Sequence, residues 1–249
     1  MKEYGLIGYP LGHSLSADFF NAKFQTERIN AVYKLFPMES LSELKGVLSQ
    51  HRNLAGLNVT APYKVSILRH LDRLDEEAAL IGAVNTIRIE RSRFRGPRLI
   101  GYNTDVSGFA DSLELVRQPW HARALVLGSG GAALAVMRAM KKMGIEHRQV
   151  SRTPSDKTIY AYSDLTPDII DRYKLIVNAT PVGLYPHIDQ CPPISFEGIG
   201  KEHLCYDLIY NPEETIFMHR ARMQGATVHN GLEMLLIQAL CSWRIWQEE

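Results

Sequence analysis

Short apolar runs alternate with stretches of helical periodicity along most of the chain. A buried strand needs only about four to eight apolar residues, whereas a helix repeats its apolar face every three or four positions. The runs predict strands at residues 4–8, 31–36, 54–59, 124–127, 147–150, 174–179, 204–209 and 227–228. The longer stretches predict helices at residues 41–48, 72–81, 132–143, 212–223 and 232–246, with one more that opens at residue 16 and another that ends near residue 116.

The order of these elements changes near residue 102. Beyond that point strands are separated by helices, which is typical of a parallel, doubly wound sheet. A chain of 249 residues is long enough for one or two domains. We therefore predict an α/β protein of two α/β domains.

Composition and charge exclude several classes of function. Hydrophobic residues make up 45% of the chain and charged residues 22%, and the formal net charge is only +1. This balance provides no positive electrostatic field that would attract nucleic acid or an anionic membrane. No apolar run approaches the roughly 18 residues of a membrane span. We expect a small-molecule ligand, and neither nucleic acid nor membrane as a partner.

Cysteine and histidine usage bears on the compartment and on metal binding. The cysteines at positions 191, 205 and 241 are scattered, form no C-x-x-C pair and cannot all pair with each other, which fits a reducing cytoplasm. Residues 1–8 are too short and glycine-rich for a signal peptide and predict a first strand. The nine histidines show no H-E-x-x-H spacing, so we expect no metal.

A glycine cluster follows the apolar run at residues 124–127 and leads directly into a predicted helix. Gly128, Gly130 and Ala133 match G-x-G-x-x-A, the dinucleotide-binding turn. The first glycine permits the tight turn, the second lets a pyrophosphate approach the backbone, and the small third residue lets helix pack on strand. A pyrophosphate there would meet free N–H groups at the helix N-terminus. The alternative is an ordinary turn that binds nothing.

The residues after the next predicted strand indicate which dinucleotide would bind. An NAD site usually offers an acid about 20 residues beyond the glycine turn, to hold the ribose 2′-hydroxyl. This chain has Ser151, Arg152 and Thr153 there instead. A guanidinium and two hydroxyls suit a 2′-phosphate, so the triplet favours NADP. The alternative is that Arg152 is a solvated surface residue.

Polar side chains also stand at the ends of predicted elements in the first half of the chain. Ser14 and Ser16 open a helix, where two hydroxyls can bind a carboxylate or simply cap the helix, with Ser16 as the natural N-cap. Asn58 and Thr60 end a predicted strand, which is where α/β folds place ligand groups.

Three further polar residues have equally simple structural interpretations. A helix expected to start at Pro62 would place Lys64 in its first turn, where the lysine could be merely solvated. Asn85 could be a turn residue, and Asp105 could be a surface acid favoured by the dipole of the next helix. The local sequence leaves both interpretations open for each residue.

Taken in order, these features resemble the shikimate dehydrogenase family over nearly the whole chain. The resemblance rests on motifs that are weak singly and specific as an ordered set, at residues 8–10, 13–16, 58–64, 82–86, 101–105, 128–132, 151–153, 178–183, 206–212 and 231–235, with Gln238. It implies a substrate domain at residues 1–101, completed by the C-terminal helix at 231–249, and a Rossmann-like, doubly wound NADP domain at 102–230.

The family resemblance also implies an activity and roles for individual residues. The activity is the reversible, NADPH-dependent reduction of 3-dehydroshikimate to shikimate, in the chorismate pathway to aromatic amino acids. Lys64 and Asp105 would be the catalytic pair. The substrate would be held by Ser14, Ser16, Asn58, Thr60, Asn85, Tyr210 and Gln238. The cofactor would be held by Gly128, Ser129, Gly130, Gly131, Ala132, Ser151, Arg152, Thr153, Asn178, Thr180, Leu208 and Gly231.

Several departures from the family pattern fall near these residues. Ala17 stands where a proline is usual, and Phe19 and Phe20 where a histidine is usual. Ser151 stands where an asparagine is usual, and Asp156 where a second basic residue often assists, which weakens the prediction of NADP without reversing it.

We expect a monomer or a homodimer. One alternative is a quinate/shikimate dehydrogenase of relaxed substrate and cofactor specificity. Another is a catalytically silent nucleotide-binding regulatory protein, against which the retained Lys64 and Asp105 argue.

Overall fold

The computed structural model describes residues 1–12, 14–92, 96–156 and 159–248, so His13 of the second family motif lies outside the described residues. The chain divides into two compact units, one formed by Met1–Thr104 with Gln238–Glu249 and the other by Asp105–Ile237. The expected domain boundaries were 101/102 and 230/231. In the two compact units the chain changes unit after Thr104 and again before Gln238, so the second transition lies inside the last helix rather than before it.

The first unit contains a six-stranded mixed sheet. Its elements are β1 (Lys2–Gly8), α1 (Leu15–Thr26), β2 (Ala31–Pro37), α2 (Leu44–Gln50), β3 (Leu54–Val59), β4 (Arg73–Leu74), α3 (Glu76–Ile81), β5 (Thr86–Glu90) and β6 (Arg98–Tyr102). The strand order is β2-β1-β3-β5-β6-β4. β1 is parallel to β2 and β3, and β5 is antiparallel to β3 and β6. The carboxyl ends of β1, β3 and β6 therefore share one edge with the amino end of β5.

Alternating side chains place apolar residues on both faces of this sheet. In β1, Tyr4 and Leu6 belong to one buried cluster and Ile7 to another, as the period of two in a strand requires. The first cluster is rich in aromatic residues: Tyr4 stacks on Trp246 with ring centroids 4.8 Å apart, and Phe20 of α1 packs against Trp246. The end of the chain thus completes the core of the first unit.

The second unit is built on a parallel sheet. Its elements are α4 (Asp105–Glu114), β7 (Arg123–Leu127), α5 (Gly131–Lys142), β8 (Glu146–Ser151), β9 (Tyr160–Ala161), α6 (Pro167–Arg172), β10 (Leu175–Asn178), β11 (Leu204–Asp207), α7 (Ile216–Met223), β12 (Thr227–His229) and α8 (Leu232–Gln247), the last of which continues into the first unit. The strand order is β12-β11-β10-β7-β8-β9, and every neighbouring pair is parallel. The predicted α/β class and the doubly wound sheet are confirmed.

Burial explains why the strands of the second unit were visible as continuous apolar runs. Leu125, Val126 and Leu127 of β7 are fully buried, as are Ile176 and Val177 of β10. A parallel strand covered by helices on both faces has no side exposed to solvent, so its sequence does not alternate between apolar and polar residues.

The helix predicted at residues 72–81 is wrong in its first half. Asp72 exchanges two hydrogen bonds with Leu99: its N–H donates to the Leu99 carbonyl at 2.9 Å, and its Oδ2 accepts from the Leu99 N–H at 2.7 Å. β4 then pairs with β6, and α3 starts only after Asp75, whose side chain accepts from the Ala78 N–H. Residues 73–74 are therefore in a strand, because pairing with β6 outweighs their local helical pattern.

Candidate functional site

The carboxyl ends of the strands in the second unit carry every residue that was expected to hold a cofactor. These residues follow or end β7, β8, β10, β11 and β12. β7 lies between β8 and β10, so the sheet winds in opposite directions from β7. Open α/β sheets bind ligands outside the carboxyl ends of the strands at such a reversal.

Gly128 forms the turn after β7 in a conformation that favours glycine. Its φ is +118°, and a Cβ would come 3.0 Å from the Ala179 carbonyl oxygen. Its N–H donates to the Val150 carbonyl at 2.9 Å, and its own carbonyl accepts from Gln149 Nε2 at 2.9 Å. The turn is therefore held between β8 and the segment after β10.

The N-terminus of α5 has the features that a pyrophosphate requires. Gly130 is the N-cap, and a Cβ there would meet no described atom within 4 Å. Packing against the described chain therefore does not require a glycine at this position. A phosphate bound close to the backbone would require one, because it would occupy the space of a side chain. Ala133 is fully buried against the sheet, and the first N–H groups of this 12-residue helix can bind an anion.

The triplet after β8 lies beside this turn. Leu127 pairs with Val150, so the ends of β7 and β8 are level. Ser151 is buried and its Oγ accepts from the Thr153 N–H at 3.3 Å, while Arg152 and Thr153 are exposed. An exposed guanidinium with neighbouring hydroxyls fits a phosphate monoester.

A buried network joins the ends of β10 and β11. Both Asp207 carboxylate oxygens accept from Asn178 Nδ2, at 3.1 and 3.2 Å. Oδ1 also accepts from the Ile209 N–H, and Oδ2 from the Thr215 hydroxyl. Asn178 Oδ1 in turn accepts from the N–H and hydroxyl of Thr180. Burial raises the pKa of Asp207 to about 6, and the hydrogen bonds act in the opposite direction. The Asn178 side chain is thus engaged within the protein and shapes the loop that carries Thr180.

Leu208 and Gly231 extend this edge across β11 and β12. A Cβ on Gly231 would overlap the Leu208 carbonyl oxygen, so only glycine allows the two segments to lie this close. The Leu208 N–H donates to the Asn178 carbonyl at 3.0 Å, and the Gly231 N–H donates to the Ile209 carbonyl at 3.1 Å. The structure therefore brings all the expected cofactor positions to one edge.

In the first unit, Asn58 is the centre of a buried polar cluster. Its Oδ1 accepts from the Tyr33 hydroxyl at 2.8 Å, and its Nδ2 lies within 3.2 Å of the Asn85 carbonyl, the Thr86 hydroxyl and the Ser242 hydroxyl. These groups come from β2, β3, the start of β5 and α8. The antiparallel register that pairs Asn58 with Thr86 places them together.

Asn85 links this cluster to α8. Its Oδ1 accepts from the Thr104 N–H at 2.8 Å, which fixes the orientation of the amide because only its oxygen can accept. Its Nδ2 lies 2.9 Å from the Thr104 hydroxyl and 3.3 Å from Gln238 Oε1. Thr60 is half-buried just beyond β3 at the same edge. Neutral amides and hydroxyls gathered in this way suit a ligand that carries several hydroxyl groups.

The structure corrects the expected cap of α1. Ser14, not Ser16, is the N-cap: it has extended backbone angles, and its carbonyl accepts from the N–H groups of Ala17 and Asp18. Ser16 lies inside the first turn. The Ser14 hydroxyl makes no capping hydrogen bond, so this cap does not consume the group expected to meet a carboxylate.

The expectation of a helix starting at Pro62 is also wrong. The Lys64 carbonyl accepts from the N–H of Val84, a distant residue, at 2.7 Å, instead of from an N–H four residues later as in an α-helix. A short 3₁₀ helix begins only at Ser66–His70. Lys64 therefore lies, half-buried, in a turn beside the amino end of β5.

The other expected catalytic residue, Asp105, opens α4 and is buried. A carboxylate in the first turn is favoured by the helix dipole. Lys64 belongs to the first unit and Asp105 to the second, so neither unit alone contains the pair. Tyr210 also lies in the second unit, where burial raises the pKa of its phenol.

Sequence reasoning missed five buried polar residues that support these sites, and they are Tyr33, Thr86, Asp207, Thr215 and Ser242. Asp207 ends a strand, as Asn58 nearly does, so the same criterion of polar residues at strand ends could have found it. Ser242 follows Gln238 by four positions, which places both on one face of a helix. Tyr33 gave no signal because an aromatic residue in a strand is ordinary.

Among the described residues, no group of three or more His, Cys, Asp and Glu side chains could hold a metal ion. In the same part of the chain, no helix has both the length and the apolar character required to cross a bilayer. Cys191, Cys205 and Cys241 form no disulfides.

A parallel, doubly wound sheet with a glycine turn at its point of reversal, joined to a second α/β unit, defines a Rossmann-like protein of two domains. Residues 6–87 match the family model for the shikimate dehydrogenase substrate binding domain. The chain is 36% identical over 261 residues to the shikimate dehydrogenase (NADP(+)) of Methanococcus aeolicus, which covers 98% of this chain and 91% of that protein. The chain belongs to the shikimate dehydrogenase family.

Solved structures agree with this membership. The shikimate 5-dehydrogenase of Thermus thermophilus, in complex with NADP(H) and shikimate, matches with a TM-score of 0.85 and 33% identity over 99% of this chain and 94% of that one. The 5-ketofructose reductase of a Gluconobacter species, in a ligand-free form, matches with a TM-score of 0.81 and 31% identity over 99% and 92% of the two chains.

Proposed function

We propose that this chain is a shikimate dehydrogenase, which reduces 3-dehydroshikimate to shikimate reversibly with NADPH in the chorismate pathway to aromatic amino acids. The observation that carries the proposal is the cluster of buried amides and hydroxyls around Asn58 and Asn85, in a chain of this family. Membership over nearly the full length supports the activity, and the glycine turn with Arg152 supports the cofactor.

The ring hydroxyls of the substrate would meet Asn58, Thr60, Asn85 and Gln238. The carboxylate would lie at the start of α1, against the hydroxyls of Ser14 and Ser16 and the N–H groups of the first turn; Tyr210 would assist.

The residues of the second unit fit NADP. The N-terminus of α5, with Ser129 to Ala132, would hold the pyrophosphate. Arg152, with Ser151 and Thr153, would hold the 2′-phosphate. Thr180, Leu208 and Gly231 would border the nicotinamide end, with Asn178 shaping the loop behind them. When bound, NADPH supplies the hydride.

Lys64 and Asp105 would provide the acid–base chemistry. Negative charge grows on the ketone oxygen as its carbon is reduced. The Lys64 ammonium would stabilise that charge and donate a proton to the oxygen. Asp105 would keep Lys64 charged and oriented, or share the proton through a substrate hydroxyl.

We also infer a cytoplasmic location. None of the three cysteines forms a disulfide, and Cys205 is fully buried, where burial raises the pKa of its thiol and keeps it unreactive. Cysteines that form no disulfides are typical of a reducing compartment.

Substrate and cofactor specificity are part of the proposal. A relative named a 5-ketofructose reductase shares the fold, so the architecture alone does not define the ketone. Quinate carries one more hydroxyl on the carboxylate-bearing carbon, so the wall around Ser14 and Ser16 would decide between the two acids. A broader dehydrogenase that accepts quinate or NAD is the second candidate.

The test is absorbance of the reduced nicotinamide with purified protein. Shikimate and quinate are each offered with NADP⁺ and with NAD⁺. We expect rapid signal with shikimate and NADP⁺ only. Equal signal with quinate or NAD⁺ would assign the broader activity, and no signal from folded protein that still binds NADPH would contradict the proposed function.

A further inference from the structure

We propose that Ser242 and Tyr33 are positioning residues of the substrate site: they hold the two ends of the Asn58 amide so that it presents a fixed orientation to the ligand. Neither residue belongs to the set expected to touch substrate. The inference rests on the proposed function, because it takes Asn58 as a substrate-binding residue.

Ser242 is fully buried on α8, one turn beyond Gln238. Its hydroxyl donates to the Gln238 carbonyl at 3.0 Å, and its oxygen lies 3.0 Å from Asn58 Nδ2 and 2.7 Å from the Thr86 hydroxyl. A hydroxyl has one hydrogen and two lone pairs. With its hydrogen on Gln238, the oxygen can only accept, and Asn58 Nδ2, the Thr86 hydroxyl and the Thr104 hydroxyl, the last at 3.2 Å, lie within reach of its two lone pairs.

Tyr33 holds the other end of the same amide. Its hydroxyl donates to Asn58 Oδ1 at 2.8 Å. Its ring is stacked on Phe20 with centroids 4.8 Å apart, so the hydroxyl has little freedom to move away. Burial keeps the pKa of Tyr33 well above its ordinary value. The phenol therefore keeps its proton, and remains a hydrogen-bond donor, at neutral pH.

The contacts to Tyr33, Ser242 and the Asn85 carbonyl together select one of the two amide orientations, because Ser242 keeps its hydrogen on Gln238 and can only accept from Asn58. Turning the Asn58 amide by 180° would place its NH₂ against the Tyr33 donor and its oxygen against the backbone carbonyl of Asn85. Removing either hydroxyl weakens this selection at a group that is itself buried. Affinity for the substrate should then fall, while cofactor affinity should not, because the cofactor positions lie in the other unit.

The variants that test this are Ser242→Ala, Tyr33→Phe and the double variant. The matched control is Ser112→Ala, which removes another fully buried helical serine hydroxyl, bonded to the Phe109 carbonyl and the Tyr206 hydroxyl. KM, and the shikimate Kd from calorimetry without cofactor, should rise about 5- to 20-fold in each single variant. The Kd for NADPH should not change, and Ser112→Ala should lower only the Tm.

The double variant separates a shared role from two independent ones. If both hydroxyls act through Asn58, the two effects on shikimate Kd should combine to less than their product. A multiplicative effect, or an unchanged Kd with a lower Tm as in the control, would overturn the inference. Tyr33→Phe keeps the ring packing. If Ser242→Ala does not fold, the shikimate Kd of Tyr33→Phe alone tests the inference. An inactive wild type that binds no shikimate would instead overturn the proposed function.

Discussion

Lys64 is the residue on which the proposed chemistry depends most directly. It lies half-buried in a turn that is anchored by the bond from the Val84 N–H to its carbonyl. Because that anchor is in the backbone, Lys64→Ala should leave the turn in place. Turnover should fall about 10²- to 10⁴-fold, the usual effect of losing a general acid, while calorimetry should show unchanged NADPH binding. Lys45→Ala, an exposed lysine on α2, is the control. Near-native turnover of Lys64→Ala would refute its role.

Arg152 is expected to determine the choice of cofactor. The side chain is exposed beside the glycine turn, and a charge-assisted contact with the 2′-phosphate exists only for NADP. Arg152→Gln should reduce the preference for NADP over NAD by about 10- to 150-fold, which corresponds to about 1.5–3 kcal/mol. The measurement is kcat/KM with each cofactor. Arg123→Gln, an exposed arginine at the other end of β7, should leave the ratio unchanged. A loss that is equal for both cofactors would show that Arg152 does not contact the 2′-phosphate.

At the level of elements, Thr215 joins a helix to the sheet. It is the N-cap of α7, where it accepts from the Met218 N–H, and its hydroxyl also donates to Asp207 at 2.7 Å. Thr215→Ala should therefore lose a cap, about 1 kcal/mol, and a bond to a charged group, about 1.5–3 kcal/mol. We expect a total loss of about 2.5–4 kcal/mol in urea unfolding.

Thr166 offers the matched comparison for that experiment. It caps α6 through the Ile169 N–H and is exposed, with no carboxylate partner in the hydrogen bonds of the described residues. Thr166→Ala should lose only the cap contribution, about 1 kcal/mol. Equal losses in the two variants would mean that the bond from Thr215 to Asp207 contributes nothing to stability.

For the molecule as a whole, two buried histidines should make stability depend on pH. The His203 Nδ1 accepts from the Gly200 N–H and its Nε2 donates to the Ile170 carbonyl; His121 is held in the same way by Gln118 and Glu202. In both, burial lowers the pKa of the ring. At these two rings the unfolded chain takes up protons first as the pH falls, so they should lower the free energy of unfolding below about pH 6.5, whereas Asp207, with its raised pKa, acts in the opposite direction.

The measurement is the free energy of unfolding in urea between about pH 7.5 and about pH 5.5, which brackets the ordinary histidine pKa. His203→Gln removes one of the rings whose pKa burial lowers, so its free energy of unfolding should fall less steeply with decreasing pH than that of the wild type. His187→Gln, at an exposed position, should leave the slope unchanged. A wild-type slope that His203→Gln does not reduce would contradict the assignment.

Much of the fold was predictable because it follows from local patterns. β3 was predicted with its observed bounds, Leu54–Val59, since an apolar strand between polar turns is a strong signal. Residues 72–74 were assigned wrongly because β4 exists only through its pairing with β6. The cap of α1 was misplaced by two residues, since Ser14 and Ser16 are equally good caps by composition.

The amino-acid sequence was sufficient for the α/β class, the glycine turn with its helix and the family, because each depends on residues close together in the chain or on an ordered set of motifs. The three-dimensional fold was needed to show which polar groups meet. Asn58, Thr86 and Ser242 are up to 184 positions apart, and they meet because an antiparallel strand pair and the last helix converge on one sheet edge. Contacts between distant segments depend on register and packing, which no local pattern encodes.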